Sequence, residues 1–101
     1  MPALEKADLT PIRRDFAFIV SDDTAAGAIV KAAQGADKTL VSAVDVFDVY
    51  QGQGIEPGQK SIAIEVTLQP RGETLKDQDI EAISQKIVAA VAKSTGAVLR
   101  G

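Results

Sequence analysis

The sequence predicts an α+β domain in which four strands and two helices follow one another in the order βαββαβ. One observation is a pair of β-rich runs, 44–50 and 60–68, joined by a connection rich in glycine and proline, which is typical of a hairpin with a long loop. Another is a series of apolar residues at the three- and four-residue spacings of an amphipathic helix: Ile80, Ile83, Ile87, Val88 and Val91.

The segment before the hairpin predicts one strand and one helix. The apolar run 16–21 follows a polar stretch that contains two prolines, and it forms the first predicted strand. Asp22, Asp23 and Thr24 are residues that accept hydrogen bonds from the free amides of a helix start, so we expect a helix over 24–34. Gly35 is its expected end.

The segment after the hairpin predicts a loop, a longer helix and a short strand. The loop covers 70–74, and Asp77 is the expected cap of a helix over 77–94. Gly96 ends that helix, and 97–100 forms the last strand.

This order of elements predicts a ferredoxin-like domain. Right-handed crossovers leave one common arrangement, an antiparallel four-stranded sheet with strand order 4-1-3-2 and both helices on one face. The other face of the sheet then stays open.

The alternation of residue types along each strand predicts which side chains face the helices. In the first and third strands the bulky set faces inward: Phe16, Phe18, Val20, Ile62, Ile64, Val66 and Leu68. Ala17 and Ser61 therefore face the open side. In the second strand we expect Phe47 and Val49 to point inward and Asp48 and Tyr50 outward. Val44 and Val46 share the parity of Asp48, a mismatch that a β-bulge would explain.

Composition excludes several classes of site. The chain has 101 residues, enough for one domain, and it contains neither cysteine nor histidine. Disulfides, thiolate or imidazole metal sites and Ser–His triads are therefore excluded. The net charge of −3 argues against non-specific coating of nucleic acid or membrane. With no signal peptide and no apolar run near ~20 residues, we expect a cytoplasmic protein without a membrane partner.

Five short motifs occur in order and carry a family resemblance: Arg14–Asp15–Phe16–Ala17, Phe47–Asp48–Val49–Tyr50, Gly58–Gln59–Lys60–Ser61, Thr74–Leu75–Lys76–Asp77 and Gly96–Ala97–Val98–Leu99–Arg100–Gly101. Together they resemble the C-terminal anticodon-binding domain of the bacterial phenylalanyl-tRNA synthetase beta subunit. The resemblance covers about 11–101 and leaves 1–10 as the tail of a linker, with Met1 as a cloning start. It implies a fragment of a much longer beta subunit that assembles with an alpha subunit into an α2β2 enzyme.

The resemblance also implies a function for named positions. In this family the domain binds the anticodon stem-loop of tRNA(Phe) and reads its first anticodon base, a guanine, through the positions of Ala17, Asp48, Tyr50 and Ser61. The candidate phosphate contacts are Arg13, Arg14, Lys60 and Arg71. No residue of this domain is expected to be catalytic or to bind a cofactor, because ATP, Mg²⁺ and phenylalanine belong to other parts of the enzyme.

The chemistry of Asp48 and Tyr50 fits this interpretation. Guanine presents two adjacent donors, N1–H and N2–H2, and one carboxylate can accept both, whereas adenine presents an acceptor at N1 that would repel Asp48. Bases of single-stranded loops are read through stacking and exposed edges, and stacking of a base on Tyr50 would contribute ~1–3 kcal/mol.

Other interpretations stay open from the residues alone. Asp48 is also explained as a solvated acid at a strand end, and Tyr50 as a cap on an exposed sheet. The scaffold also suits a small regulatory or interaction domain, because a fold does not fix a function. An acylphosphatase-like hydrolase is disfavoured, because its phosphate loop and its arginine–asparagine pattern are missing and the chain contains no asparagine.

Overall fold

A computed structural model describes residues 10–72 and 74–100 of the chain. The elements follow the predicted order, and their bounds are β1 Ile12–Ser21, α1 Ala26–Ala36, β2 Val41–Tyr50, β3 Gln59–Leu68, α2 Asp77–Thr95 and β4 Val98–Leu99. Apart from Thr10, the stretch interpreted as a linker lies outside the described residues, as do Glu73 in the loop after β3 and Gly101.

The four strands form one antiparallel sheet in the order β2-β3-β1-β4. This is the predicted order 4-1-3-2 read from the other edge, so the ferredoxin-like fold is confirmed. β1 and β3 lie in the centre and pair over ten residues each, from Ile12 opposite Leu68 to Ser21 opposite Gln59. β2 and β4 are the two edges, and β4 pairs with β1 through only two residues.

The core lies between the sheet and the two helices. The inward set expected for β1 and β3 is buried, and Ile62, Ile64, Val66 and Leu68 have no exposed surface. The helices contribute six residues to the same cluster: Ile29 and Ala33 from α1, and Ile80, Ile83, Ile87 and Val91 from α2. The uninterrupted period of two in the central strands matches the period of the buried positions, which is why their faces were predictable.

Both ends of α1 differ from the prediction. Residues 22–24 form a turn rather than the first turn of the helix: the Ser21 carbonyl accepts from the Thr24 amide at 3.0 Å, and the Ser21 hydroxyl donates to Asp23 at 2.6 Å. The helix then continues through Gly35. It ends where the Asp37 carboxylate accepts the amides of the two residues that follow Lys38, at 3.1 Å each. A side chain that satisfies backbone amides thus ends α1, and Gly35 does not.

The start of α2 is also displaced by one residue. Asp77 is the first helical residue, not the cap, and Lys76 occupies the cap position with extended backbone. The Asp79 carboxylate accepts the Lys76 amide at 3.0 Å, so an acid in the first turn stabilises the helix start from inside. The predicted end at Gly96 is confirmed, because this residue has φ of 78° and its amide donates to the Ala92 carbonyl at 2.8 Å.

β2 contains the irregularity that the sequence mismatch indicated. The pairing with β3 shifts twice, between Val41 and Ala43 and between Val46 and Asp48, and the second shift makes Phe47 an extra residue without a partner position on β3. The expectation that Phe47 points into the core is therefore wrong, and 59% of its surface is exposed. Val49 lies opposite Ile62 as its inward parity requires, yet it is 52% exposed.

Candidate nucleic-acid interface

The bulge at Phe47 aligns the second half of β2 with the small residues of the two central strands. Asp48 lies opposite Ala63, which in turn lies opposite Ala17. In the next row of the open face, Tyr50 lies opposite Ser61, which lies opposite Ile19. The four predicted site residues, Ala17, Asp48, Tyr50 and Ser61, thus share one face in two adjacent rows.

In the first row, an exposed carboxylate lies beside residues with small side chains. Asp48 is exposed, and its carboxylate has no hydrogen-bond or ion-pair partner among the residues that the structure describes. Ala63 and Ala17 offer only methyl groups beside it. A flat group can therefore approach the sheet here and place its edge against both carboxylate oxygens.

The second row contains the only tyrosine of the chain, and its ring is held from one end. The Tyr50 hydroxyl donates to the main-chain carbonyl of Gln53 at 2.7 Å, in the loop that joins β2 to β3. The side chain keeps about a third of its surface accessible, with a relative exposure of 36%. It thus combines a fixed hydroxyl with an accessible ring.

Ser61 lies on the open side but is not accessible in the way its parity suggested. Its exposure is 4%, and its hydroxyl accepts a hydrogen bond from Nη1 of Arg100 at 3.3 Å. The backbone amide of Arg100 donates to the Ala17 carbonyl at 2.6 Å, which continues the pairing of β4 with β1. A residue that follows β4 therefore touches two of the four predicted positions.

The sequence interpretation missed Arg100 as part of this surface. The signal for it was present but indirect: once the last strand pairs antiparallel with β1, a residue opposite Ala17 shares its open face. That inference needs the register of a two-residue strand, which composition and spacing do not supply.

Comparison with known families gives this surface a context. The model of the ferredoxin-fold anticodon binding domain matches residues 7–100, nearly the whole chain. The chain belongs to this family.

Several proteins that are similar to this chain are phenylalanine–tRNA ligase beta subunits. The chain is 59% identical over 100 residues to the phenylalanine–tRNA ligase beta subunit of Rhodopseudomonas palustris, and 58% identical over 99 residues to that of Bradyrhizobium diazoefficiens. It is 56% identical over 100 residues to that of Paramagnetospirillum magneticum. These matches cover 98–99% of the chain but only 12% of each relative.

The open face of this anticodon-binding domain is not uniform in charge. Beyond the row of Asp48 lies a row of three acids, in which Glu65 has Asp15 opposite on one side and Asp45 opposite on the other. One ion pair offsets part of this charge, between Nε of Arg13 and Oε1 of Glu65 at 3.9 Å. Because like charges on opposing strands repel and also repel phosphates, this row forms an unfavourable boundary for an RNA backbone.

The structure does not bring the four candidate phosphate contacts together. Arg13 lies on the open face, beside the acidic row. Arg14 and Lys60 lie opposite Val66 and Val20 in the sheet, which gives them the parity of the core side. Arg71 lies beyond the end of β3, where its Nε donates to the Thr39 carbonyl at 3.0 Å.

Two concave regions lie away from this face. One of about 590 Å³ is lined by residues of α1 and α2, among them Lys31 and Lys93. Another of about 450 Å³ is lined by α2 together with Phe16 and Leu99. In the described part of the chain, acidic residues form no group of three suited to a metal ion, and neither helix is both long and apolar enough to cross a membrane.

Proposed function

We propose that this chain is the anticodon-binding domain of a phenylalanine–tRNA ligase beta subunit, and that its open face reads the first anticodon base of tRNA(Phe), a guanine. The observation that carries the proposal is the register of β2, β3 and β1. It puts the Asp48 carboxylate in one row with Ala63 and Ala17, and the Tyr50 ring in the adjacent row with Ser61. The domain family and the names of the relatives point to the same class of ligand.

Hydrogen bonding to the base edge supplies the specificity in this proposal. The exposed Asp48 carboxylate accepts hydrogen bonds from N1–H and N2–H2 of guanine, and the small side chains of Ala17 and Ala63 allow the base to come close. Adenine would place the acceptor N1 against the carboxylate, so it is rejected by repulsion and by lost hydrogen bonds. Discrimination therefore depends on the Asp48 charge, which forms no ion pair with any residue that the structure describes.

Stacking supplies affinity that does not depend on the base. The accessible face of Tyr50 offers a surface on which any base can stack. Ser61 and Ala17 lie under the same region, and Arg100 adds a cation beside them. The acidic row around Glu65 keeps the phosphates away from the other end of the face, which orients the strand.

The larger protein carries out the chemistry. In this proposal the domain supports aminoacylation of tRNA(Phe) with phenylalanine in a cytoplasmic α2β2 ligase, while ATP and Mg²⁺ act on other domains of that enzyme. Its partners are the tRNA, the remainder of the beta subunit and the alpha subunit. Its own residues bind RNA and catalyse no step.

The direct test measures binding of an anticodon stem-loop RNA, with guanine or adenine at the first anticodon position, to the 101-residue chain. We expect Asp48→Ala to reduce the preference for guanine by about ten- to a hundredfold, the usual effect of losing a bidentate base contact. Asp45→Ala is the matched control, because it removes the same charge from the same strand, opposite Glu65 in the acidic row. It should keep the preference for guanine and bind both RNAs slightly more tightly.

An unchanged preference for guanine in Asp48→Ala would contradict the role of Asp48. Equal changes in Asp48→Ala and Asp45→Ala would mean that only overall charge matters. If the wild-type chain binds neither RNA more tightly than it binds an unrelated stem-loop, the result favours the alternative, a regulatory or interaction domain on the same scaffold.

A second test uses the complete ligase. Asp48→Ala and Tyr50→Ala should lower kcat/KM for aminoacylation of tRNA, and phenylalanine-dependent pyrophosphate exchange without tRNA should stay unchanged. Only Asp48→Ala should relax discrimination at the first anticodon base, because Tyr50 stacks on every base. A parallel loss of pyrophosphate exchange would point to damaged folding or assembly instead.

A further inference from the structure

The loop 51–58 joins β2 to β3, and backbone hydrogen bonds hold it together. The Ile55 amide donates to the Gly52 carbonyl at 2.9 Å, and the Gln59 amide donates to the Glu56 carbonyl at 3.0 Å. The Gly58 carbonyl accepts the Asp22 amide at 2.9 Å, which ties the loop to the turn after β1. The position of the loop backbone is therefore fixed relative to the sheet.

Tyr50 is attached to this loop at the end of its side chain. Its hydroxyl donates to the Gln53 carbonyl at 2.7 Å, so the loop backbone holds the ring at a point remote from its own Cα. A tyrosine at an exposed strand end would otherwise exchange between rotamers. The hydrogen bond restricts both side-chain torsions without covering the ring.

The backbone conformation of Gly52 permits this contact. Its φ is +130°, a conformation that side-chain-bearing residues rarely adopt. A Cβ atom built there would make ordinary van der Waals contacts, at 3.5 Å from the Tyr50 hydroxyl oxygen and 3.8 Å from Cζ, so the torsion and not the space favours glycine. The glycine thus lets the backbone turn beside the phenol and present the next carbonyl to it.

We propose that the loop 51–58 is a positioning element that holds the Tyr50 ring in its base-stacking orientation before RNA arrives, with Gly52 and the Gln53 carbonyl as the positioning groups. This inference rests on the proposed function, because it assigns the ring a stacking partner. Binding to a fixed ring avoids the entropy loss of immobilising a free side chain, which is worth about two- to tenfold in affinity per side chain.

Two substitutions break the contact from its two sides. Tyr50→Phe keeps the stacking surface and removes the donor. Gly52→Ala keeps the tyrosine and displaces the acceptor, since alanine strains at this φ and the turn must relax. Both should weaken binding of the guanine-containing anticodon stem-loop by about two- to tenfold, without changing the preference for guanine. Gly72→Ala is the control for strain, because it also has positive φ, of +86°, and lies beyond the far end of β3.

A spectroscopic measurement separates positioning from a general loss of structure. The chain contains one tyrosine and no tryptophan, so its intrinsic fluorescence reports on Tyr50 alone. In the wild-type chain the anisotropy of this emission should decay with tumbling of the whole domain. In Gly52→Ala it should gain a fast component from ring motion, while circular dichroism stays that of the wild type. Gly72→Ala should show neither this fast component nor weaker binding.

RNA binding by the Tyr50→Ala variant distinguishes failure of the positioning role from failure of the stacking role. If Tyr50→Ala weakens binding and Tyr50→Phe binds like the wild type, the positioning role is overturned and the stacking role stands. The same holds if Gly52→Ala leaves the anisotropy decay unchanged, or if Gly72→Ala weakens binding as much as Gly52→Ala does. If Tyr50→Ala binds like the wild type, stacking on Tyr50 and the positioning role fail together.

Discussion

β3 and β2 are neighbouring strands of ten residues each, and they have opposite relations to the core. β3 lies in the middle of the sheet, and its four large apolar side chains are fully buried. β2 lies at the edge, buries Val41 and Val44 near its start, and is exposed from Asp45 to its end. One strand stabilises the fold, and the other presents side chains to the solvent.

The difference shows how a small domain separates stability from recognition. β3 pairs on both sides and lies under the helices, so changes in its inward residues affect packing. The second half of β2 pairs only with β3 and lies at the edge of the sheet, so its side chains can vary with little effect on the core. Substitutions on the two strands should therefore produce different kinds of defect.

The largest effect is expected from Ile64→Ala on β3. Ile64 has no exposed surface and lies between Phe16 on β1 and Val46 on β2. Its truncation removes buried methyl groups and leaves a cavity, so the free energy of unfolding should fall by ~2–5 kcal/mol. Chemical denaturation measures this loss, and a value below ~1 kcal/mol would mean that the core collapses around the site or that the side chain is not buried.

A matched pair of valines compares the two strands with the same chemical change. Val66→Ala on β3, at 0% exposure, should lower the free energy of unfolding by about 1.5–3 kcal/mol. Val49→Ala on β2, at 52% exposure, should lower it by less than about 1 kcal/mol. Equal losses in parallel denaturation curves would contradict the division between the strands.

The smallest effect on stability is expected from Asp48→Ala. The side chain is exposed and has no partner among the described residues, so the free energy of unfolding should change by less than about 0.5 kcal/mol. Thermal unfolding of this variant is also the control for the RNA-binding test. A large destabilisation would show that Asp48 serves the fold and would weaken the recognition argument.

The same contrast between β3 and β2 explains which parts of the fold could be predicted from the sequence. The alternation in β1 and β3 is regular, so their core and open faces were predicted residue by residue. In β2 the valines and Asp48 gave conflicting parities, and a bulge was inferable but its position was not. Phe47 was consequently assigned to the core, because a bulky aromatic residue is usually buried and only the pairing with β3 shows that it is the extra residue.

Contacts between distant segments were the least predictable part of the candidate site. The hydrogen bond from Arg100 to Ser61 joins residues that are 39 positions apart, and Ser61 is buried although parity alone would leave it exposed. The tie from Tyr50 to Gln53 is local, but it depends on a loop backbone whose glycine torsions the sequence permits without specifying. Side-chain identity thus indicated which residues form the surface, and tertiary geometry determined which of them are accessible.

The extra residue at Phe47 changes which positions of β2 face the core. Val44 and Val46, before the bulge, lie opposite core residues of β3 at even positions, whereas after the bulge Val49 does so at an odd position. Regular pairing of Phe47 with Ala63 would move Asp48 opposite Ile62 and turn its carboxylate towards the helices, whereas deletion of Phe47 would leave Asp48 opposite Ala63 on the open face.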